Sequence, residues 1–583
     1  MMLSTLQTLF PYLIRDRWRY AAGFSALTLK NIAAVAIPVL LGLIVDEITA
    51  GAGIRALMLW AGVLVAVALT KAFFQYWMRW ILIGISRDIE YDLRSDLFGH
   101  LVNLPQRFYH AYRTGDLMSR ATNDLNAVRL MLGPGIMYSA DVILTFTVVL
   151  AVMSSTDWRL TCLVFIPIPL VSFTVSYFGR QTHERFRTVQ EKFSDLSSLA
   201  QESLSSVRII RAYAQADAEA ERFRETNQQY LGESLKLISV WTRFYPILEF
   251  LIGLTYLIVM WYGGRQVIEG RISLGSFVMF MTYMAILTWP MIGFGWVVNV
   301  VQRGAASLER LNELLVQRPE IADGEETDYS IAEIRGDLEF RNVKVFYPGS
   351  ERPVLDDINL YVPAGQTLAI VGPTGSGKTT LVNLIPRLLD PQRGSVLIDG
   401  VDVRRIPLAV LRQSIGFVPQ ETFLFSRSLS DNITFGSPGA EEWQIFEASQ
   451  VAQLSRDVEG FSNGYDTLVG ERGITLSGGQ KQRTAIARAV LRDPRVLILD
   501  DAMASVDTGT EESILEQLRI VTRNRTSLII SHRVSTARHA DRILVLIGGR
   551  ITESGRHEEL LQQQGHYYDL YQKQLLEEEL ERV

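Results

Sequence analysis

TLAIVGPTGSGKTTLVNLI, residues 367–385, is the stretch on which the reading of the fold turns. A short apolar run from Thr367 to Val371 feeds a glycine loop, Gly372–Gly377, which opens into a helix-forming run at Lys378. A strand before and a helix after are the setting a phosphate loop requires. Backbone N–H groups between Gly372 and Gly377, a span that includes Pro373, Thr374, Gly375 and Ser376, can wrap a phosphate chain. Lys378 can reach the β and γ groups, and Thr379, followed by Thr380, can offer a hydroxyl to Mg²⁺.

Working outward, RVLILDDAMASVD (495–507) has four apolar residues ending in Asp500, a buried strand that delivers a carboxylate beside the Mg²⁺. The two stretches together predict a nucleoside triphosphatase. From residue 336 to 583, β-rich runs alternate with helical runs and glycine turns, the pattern of an α/β domain. Residues 316–335, including ADGEETD, read as a polar linker.

The first 315 residues are of another kind. Apolar runs at residues 20–46, 56–82, 133–154, 159–179, 239–262 and 275–299 are each long enough to cross a hydrocarbon layer about 30 Å thick. The connections after the second and fourth runs are long, polar and helix-prone. The first carries Arg87, Arg94, Arg107, Arg113, Arg120 and Arg129, and the second Arg180, Arg185, Arg187, Arg208, Arg211 and Arg222, which places both in the cytoplasm. The short SSTDW link around Asp157 is then external, and an even number of crossings returns the chain to the cytoplasm. The N-terminal LSTLQTLFPYLIRDRWRY reads as a retained amphipathic helix on the inner membrane surface, anchored by Arg15, Arg17 and Arg19, with the start of the first spanning helix as the plainer alternative.

Ionisable residues within the apolar runs are Lys30, Lys71, Asp141 and Glu249. Charge at membrane depth is costly, so each needs a cavity, another helix or the interface. Snorkelling or helix pairing accounts for the lysines and structural hydrogen bonding for Glu249; a substrate contact is the sharper alternative for Glu249. Trp289, Pro290 and Trp296 make the sixth run a candidate cavity wall, with aromatic packing as the plainer reading.

Hydrophobic residues make up 48% of the 583 and charged residues 21%, a mixture that suits an apolar half joined to a soluble one. A net charge of -6 gives no global argument for a nucleic-acid partner, and the lone Cys162 excludes a disulfide framework or a thiolate zinc site.

Between the two nucleotide stretches lies ITLSGGQKQRTAIARAVLRDP (474–494), and LSGGQ just before a helix resembles the signature motif of the ATP-binding-cassette family. The likeness continues along residues 336–583. Tyr347 in VFYPG resembles the aromatic that stacks on adenine, and Gln420 in GFVPQE the glutamine that senses Mg²⁺ and the membrane domain. Ser505–Asp507 resemble the D-loop, and His532 in SLIISHRVST the switch histidine at the γ-phosphate. VGERG (469–473) resembles an exporter-specific segment, and GDLMSRATNDLNAVR (115–129) the first intracellular coupling region.

The resemblance implies an α-helical polytopic membrane domain of the type I exporter (type IV ABC) fold, with six transmembrane helices, fused to an α/β P-loop nucleotide-binding domain. The divisions are residues 1–315, 316–335 and 336–583. It further implies a domain-swapped dimer with ATP and Mg²⁺ between the motors. Thr379, Gln420 and Asp500 would face the metal, and Asp501, His532 and Gln420 the chemistry. Tyr347 and the phosphate loop would hold this chain's own nucleotide, while Ser477, Gly478, Gly479 and Gln480 would serve the partner's.

One position departs from the family pattern. A glutamate usually follows the Mg²⁺ aspartate as base or water orienter, and here Asp501 stands there. Losing one methylene withdraws the carboxylate by roughly 1–1.5 Å, enough to slow a positioned reaction. A weak base beside an intact signature implies a heterodimer whose other half has the glutamate and an altered signature. The expected activity is ATP-driven export of amphipathic compounds such as drugs, lipids or peptides across the cytoplasmic membrane. The alternatives are a homodimeric exporter, a siderophore importer and a lipid flippase.

Overall fold

Hydrocarbon offers no hydrogen bonds, so a chain that crosses it must pair every backbone N–H and C=O within the segment, and helices do this. The computed structural model describes residues 7–347, 349–470, 473–523 and 525–581. In it the apolar runs lie in α1 (Arg17–Thr49), α2 (Ile54–Leu101), α3 (Ile136–Thr156), α4 (Ile168–Ser205), α5 (Ala216–Ile258) and α6 (Leu274–Leu315). Among the described residues, five helical runs are long and apolar enough to span a membrane, and α6 adds the apolar stretch Leu274–Leu287. The fourth run begins one helix earlier, at Trp158–Phe165, and is interrupted around Pro167 and Pro169, which lack the N–H a continuous helix needs. The long polar connections are continuations of the same helices. At 48 residues, α2 is about 72 Å long, more than twice the hydrocarbon thickness.

The helices of this unit are joined by small residues and by polar clasps. A side chain on Gly275 of α6 would sit 1.9 Å from the carbonyl oxygen of Gly42 on α1, so only glycine permits that approach. Beside it, Asp46 Oδ1 accepts from the Gly275 N–H at 2.7 Å, and Tyr283 donates to Val35 O at 2.7 Å. Lys30 pairs with another helix: its Nζ lies 2.7 Å from Asp141 Oδ1 on α3, and Asn31 Nδ2 donates to the same oxygen at 2.8 Å. Thr145 closes the cluster on Asn31 Oδ1 at 2.8 Å. Glu249 departs from expectation: its side chain is exposed on α5 and makes no hydrogen bond among the described residues. Trp296 does pack on an aromatic, edge-on to Tyr138 at 5.4 Å; the side chains of Trp289 and Pro290 lie outside the described residues.

Two of the three N-terminal arginines are committed to protein. Arg15 pairs with Asp92 and Arg19 with Asp88 at 2.7 Å, both on α2, and the helix before α1 is only Phe10–Arg15. Of the topology-marking arginines, Arg87, Arg94 and Arg129 converge on buried Glu90 at 2.9, 2.6 and 3.5 Å. A second clasp ties the polar segment before α3 to α6: Asp124 accepts from Arg310 Nε and Ser307 Oγ, each at 2.9 Å.

The chain divides into two units, Met1–Val102 with Arg113–Gln317, and Asn103–Tyr112 with Arg318–Val583. The second unit thus includes the segment Asn103–Tyr112 from the first half of the sequence.

The second unit is built on two sheets. A six-stranded sheet runs in the order β10 (Arg550–Gly555), β9 (Arg542–Ile547), β3 (Thr367–Val371), β8 (Thr526–Ile530), β7 (Val496–Asp500), β6 (Ile415–Val418). Its pairings are parallel except for the β9–β10 hairpin. An antiparallel sheet of β2 (Leu355–Val362), β1 (Leu338–Val345), β4 (Arg393–Ile398) and β5 (Val401–Asp402) shares its core, which includes Phe340, Ile358, Ile370, Leu381, Ile498 and Leu528. The strands β3 and β7 are almost wholly apolar because both their faces are covered.

The Asp124 clasp has a measurable worth. Burial alone would raise its pKa, but the hydrogen bonds from Arg310 and Ser307 outweigh this and hold it below the ordinary carboxylate value. Asp124→Ala should cost about 1–2 kcal/mol, read as a lower Tm in detergent. A depressed pKa contributes stability fully above the unfolded value of about 3.9 and loses it as pH falls through the folded value. The Tm gap to wild type should therefore hold constant at neutral pH and close on acidification below about pH 4.

Candidate functional site

Strand register gathers the site. Ile530 on β8 pairs with Ile370 on one side and with Asp500 on the other, so three strands end level with one another. Neighbouring strands lie about 4.8 Å apart, so the Gly372 loop, the His532 loop and Asp500–Asp501 emerge side by side at the carboxyl edge of the sheet. Loop closure then depends on Gly372, with φ +151° and a hypothetical side chain only 2.2 Å from Leu546 O.

From this loop α7 (Lys378–Asn383) begins, and its first residues carry the chemistry. Lys378 is buried, and its Nζ donates to the loop carbonyls of Gly372 and Pro373, each at 2.9 Å. Burial lowers its pKa, against the pull of Asp500 and Asp501. Thr379 Oγ1 lies 3.2 Å from Asp500 Oδ1. Asp500 is 1% exposed, and burial, reinforced by Asp501, raises its pKa despite the Thr379 hydrogen bond and the positive charge of Lys378. Two further oxygens here, Asp500 Oδ2 and Ser376 Oγ, are buried without a hydrogen-bond partner among the described residues. Such orphans cost about 1–3 kcal/mol each and mark a place that a ligand completes.

These oxygens fit Mg²⁺. Among the described residues no group of three or more His, Cys, Asp and Glu side chains could hold a metal alone. Mg²⁺ instead tolerates one or two protein oxygens when phosphates and water supply the rest, and Thr379 and Asp500 are hard oxygen donors of that kind.

Around this centre the structure places the other expected residues. Asp501 follows β7 with φ +49°, a left-handed conformation that Asp adopts more readily than most side chains, and its N–H donates to Ile530 O at 3.0 Å. Tyr347 is half exposed, its hydroxyl 3.1 Å from Thr380 Oγ1, which leaves ring surface open over the start of α7. Gln420, after β6, and His532, after β8, are both exposed.

The signature residues are held elsewhere. Ser477 caps α8 (Gly478–Leu491) in a reciprocal box with Gln480: Ser477 Oγ accepts from the Gln480 N–H at 3.2 Å and Gln480 Oε1 from the Ser477 N–H at 2.9 Å. Gln480 Nε2 donates to Asp457 Oδ1 at 3.1 Å, so its side chain is spent on holding the cap. Side chains on Gly478 or Gly479 would crowd Ser505, whose N–H is fixed by Gln482 Oε1 at 2.8 Å. None of these contacts involves Lys378 or Thr379, and an open helix N-terminus is left on the surface. VGERG lies partly outside the described residues, at Glu471 and Arg472.

Sequence reading passed over the supports. Asp457 holds Arg483 at 2.7 Å besides Gln480, and no motif marks it. Arg488, pushed down to about 10 by burial, donates to Asn432 O at 2.8 Å and Phe423 O at 3.1 Å. The S-x-x-Q capping pattern of Ser477 and Gln480 was the one signal available.

Residues 20–291 match the ABC transporter transmembrane region, and residues 355–504 match the ABC transporter domain. The chain belongs to the ABC transporter family. Over 99% of its length it is 38% identical to a probable multidrug resistance ABC transporter ATP-binding/permease protein, YheI, of Bacillus subtilis, covering 98% of that protein. It is 37% identical to an ATP-dependent lipid A-core flippase of Syntrophus aciditrophicus, covering 89% of this chain and 86% of the other. A bacterial Atm1-family ABC exporter with ATP bound has the same fold, with a TM-score of 0.79 at 27% identity, over 96% of this chain and 98% of that one. This ABC protein is accordingly a polytopic, exporter-type half-transporter with an ATP-hydrolysing cassette.

Gly372→Ala should abolish nucleotide binding, because the added carbon meets a backbone carbonyl that cannot move aside. Gly375→Ala, at φ +81° but with open space around it, should cost only about 1–2 kcal/mol and keep binding. Fluorescent nucleotide titration separates the two.

Proposed function

We propose that this chain is one subunit of a heterodimeric ATP-driven exporter of amphipathic or hydrophobic compounds in the cytoplasmic membrane. The observation that carries the reading is the pairing of a short carboxylate at Asp501, after the strand that ends in Asp500, with an intact LSGGQ at the head of α8, capped by Ser477, in the same cassette. Tyr347 stacks on adenine, and the Gly372–Gly377 loop with Ser376, Lys378 and Thr380 binds the phosphates. Thr379, Asp500 and Gln420 hold the Mg²⁺, which supplies charge neutralisation when bound. His532 meets the γ-phosphate.

Asp501 orients water poorly at this site, so the nucleotide here acts chiefly as a clamp. Ser477, Gly478, Gly479 and Gln480 present the α8 N-terminus to the partner's nucleotide, where a glutamate performs hydrolysis. ATP drives alternating access only by binding the closed motor pair more tightly than the open one. The segments near residues 115–125 and 210–220 pass that closure to the spans. An amphipathic cargo is the reading favoured by relatives whose names speak of multidrug resistance and of lipid A-core flipping.

Turnover tests the assignment. The purified chain alone should hydrolyse ATP at least about tenfold more slowly than its complex with the partner half. Asp501→Glu should raise the complex's kcat while leaving ATP affinity within about twofold. Full-speed hydrolysis by the chain alone would replace the heterodimer with a homodimer in which Asp501 is the base. Inverted vesicles that lose cargo from their lumen on adding ATP would replace export with import.

A further inference from the structure

The C-terminal helix α10 (His566–Glu581) contributes no residue to the nucleotide site, yet one of its side chains grips the switch loop. Gln574 Nε2 donates to the backbone carbonyl of His532, and Gln574 Oε1 accepts from the backbone N–H of Val534 at 2.6 Å. One amide thus fastens the peptide on both sides of Arg533, and the donor and acceptor demands fix which way the amide faces.

The helix that carries Gln574 is itself anchored. Tyr567 is fully buried, with its hydroxyl 2.7 Å from His557 Nδ1, and Tyr571 stands edge-on to the same imidazole at 5.6 Å. Glu553 on β10 accepts the N–H groups of His566 and Tyr567 at 2.6 and 3.1 Å. Tyr567, Tyr571 and Gln574 follow the i, i+4, i+7 spacing of one helix face, so the aromatic anchors set the height at which Gln574 meets the loop. From the other side, buried Glu511 on α9 (Thr508–Val521), the helix after Ser505–Asp507, binds both Arg533 and Thr536. The exposed imidazole of His532 therefore projects from a peptide held by two helices.

We propose that Gln574 is a positioning residue for His532, so that the C-terminal helix is part of the nucleotide site. It sets the backbone from which the imidazole reaches the γ-phosphate. The proposal rests on the reading of His532 as the γ-phosphate contact. A positioning role changes binding of nucleotides that have a γ-phosphate and spares those that lack one.

The test uses the full-length protein in detergent and compares Kd for adenylyl-imidodiphosphate and for ADP by displacement of a fluorescent nucleotide. Gln574→Ala should weaken the triphosphate analogue about fivefold, the worth of an ordinary hydrogen bond, with ADP affinity unchanged. Gln574→Glu should behave alike, because it keeps the acceptor for Val534 but sets a carboxylate against the His532 carbonyl. In a His532→Ala background, Gln574→Ala should have no further effect. Equal weakening of both nucleotides, or none while His532→Ala weakens only the triphosphate, overturns the proposal. If His532→Ala itself leaves the ratio of the two affinities unchanged, the γ-phosphate reading falls and the proposal with it.

Discussion

The common ending of β3, β8 and β7 is the constraint on which the cassette depends. Because Ile530 pairs with Ile370 and with Asp500 at once, a buried cation, a buried carboxylate and an exposed imidazole are delivered to one edge of one sheet. A register slip of one residue would turn every side chain of a strand to the opposite face and disperse the set. Because β3 and β7 are close-packed on both faces, such a slip would exchange core side chains of different shape, and packing resists it.

That rigidity lets the site remain electrostatically unfinished. Lys378 spends two of its donors on its own loop, while Asp500 keeps an oxygen with no partner and a raised pKa. In the proposed reading nucleotide and Mg²⁺ would satisfy these groups together, the anionic phosphates meeting the lysine and the dication the aspartate. The α8 N-terminus is built differently: its cap is completed internally by Ser477 and Gln480, and its other first-turn N–H groups have no partner within the helix.

In the membrane unit a different solvent sets a different rule. Helices α1 and α6 approach as closely as glycine allows at Gly42 and Gly275, and a charge pair at depth, Lys30 with Asp141, is completed by Asn31 and Thr145. A paired and hydrogen-bonded charge is tolerable in hydrocarbon, whereas an isolated one is not. Arginines also build the helical extensions, Arg87, Arg94 and Arg129 on Glu90 and Arg310 on Asp124.

The sequence by itself determined the two architectures, because each is written in local periodicity: apolar runs of membrane length, and a strand, glycine loop and helix in unbroken succession. It also named the residues around the phosphate loop, since glycine, lysine and threonine at that spacing have one chemical use. Tertiary structure alone decided the partnerships that join distant segments. Nothing local in the sequence links Lys30 to Asp141, Asp457 to Gln480, or Gln574 to His532, which are 111, 23 and 42 residues apart. Nor could it place Glu249, whose exposure on α5 follows from which face of the helix the other spans cover. Periodicity reports which face of an element is apolar; which element covers that face is settled only when the whole chain has packed.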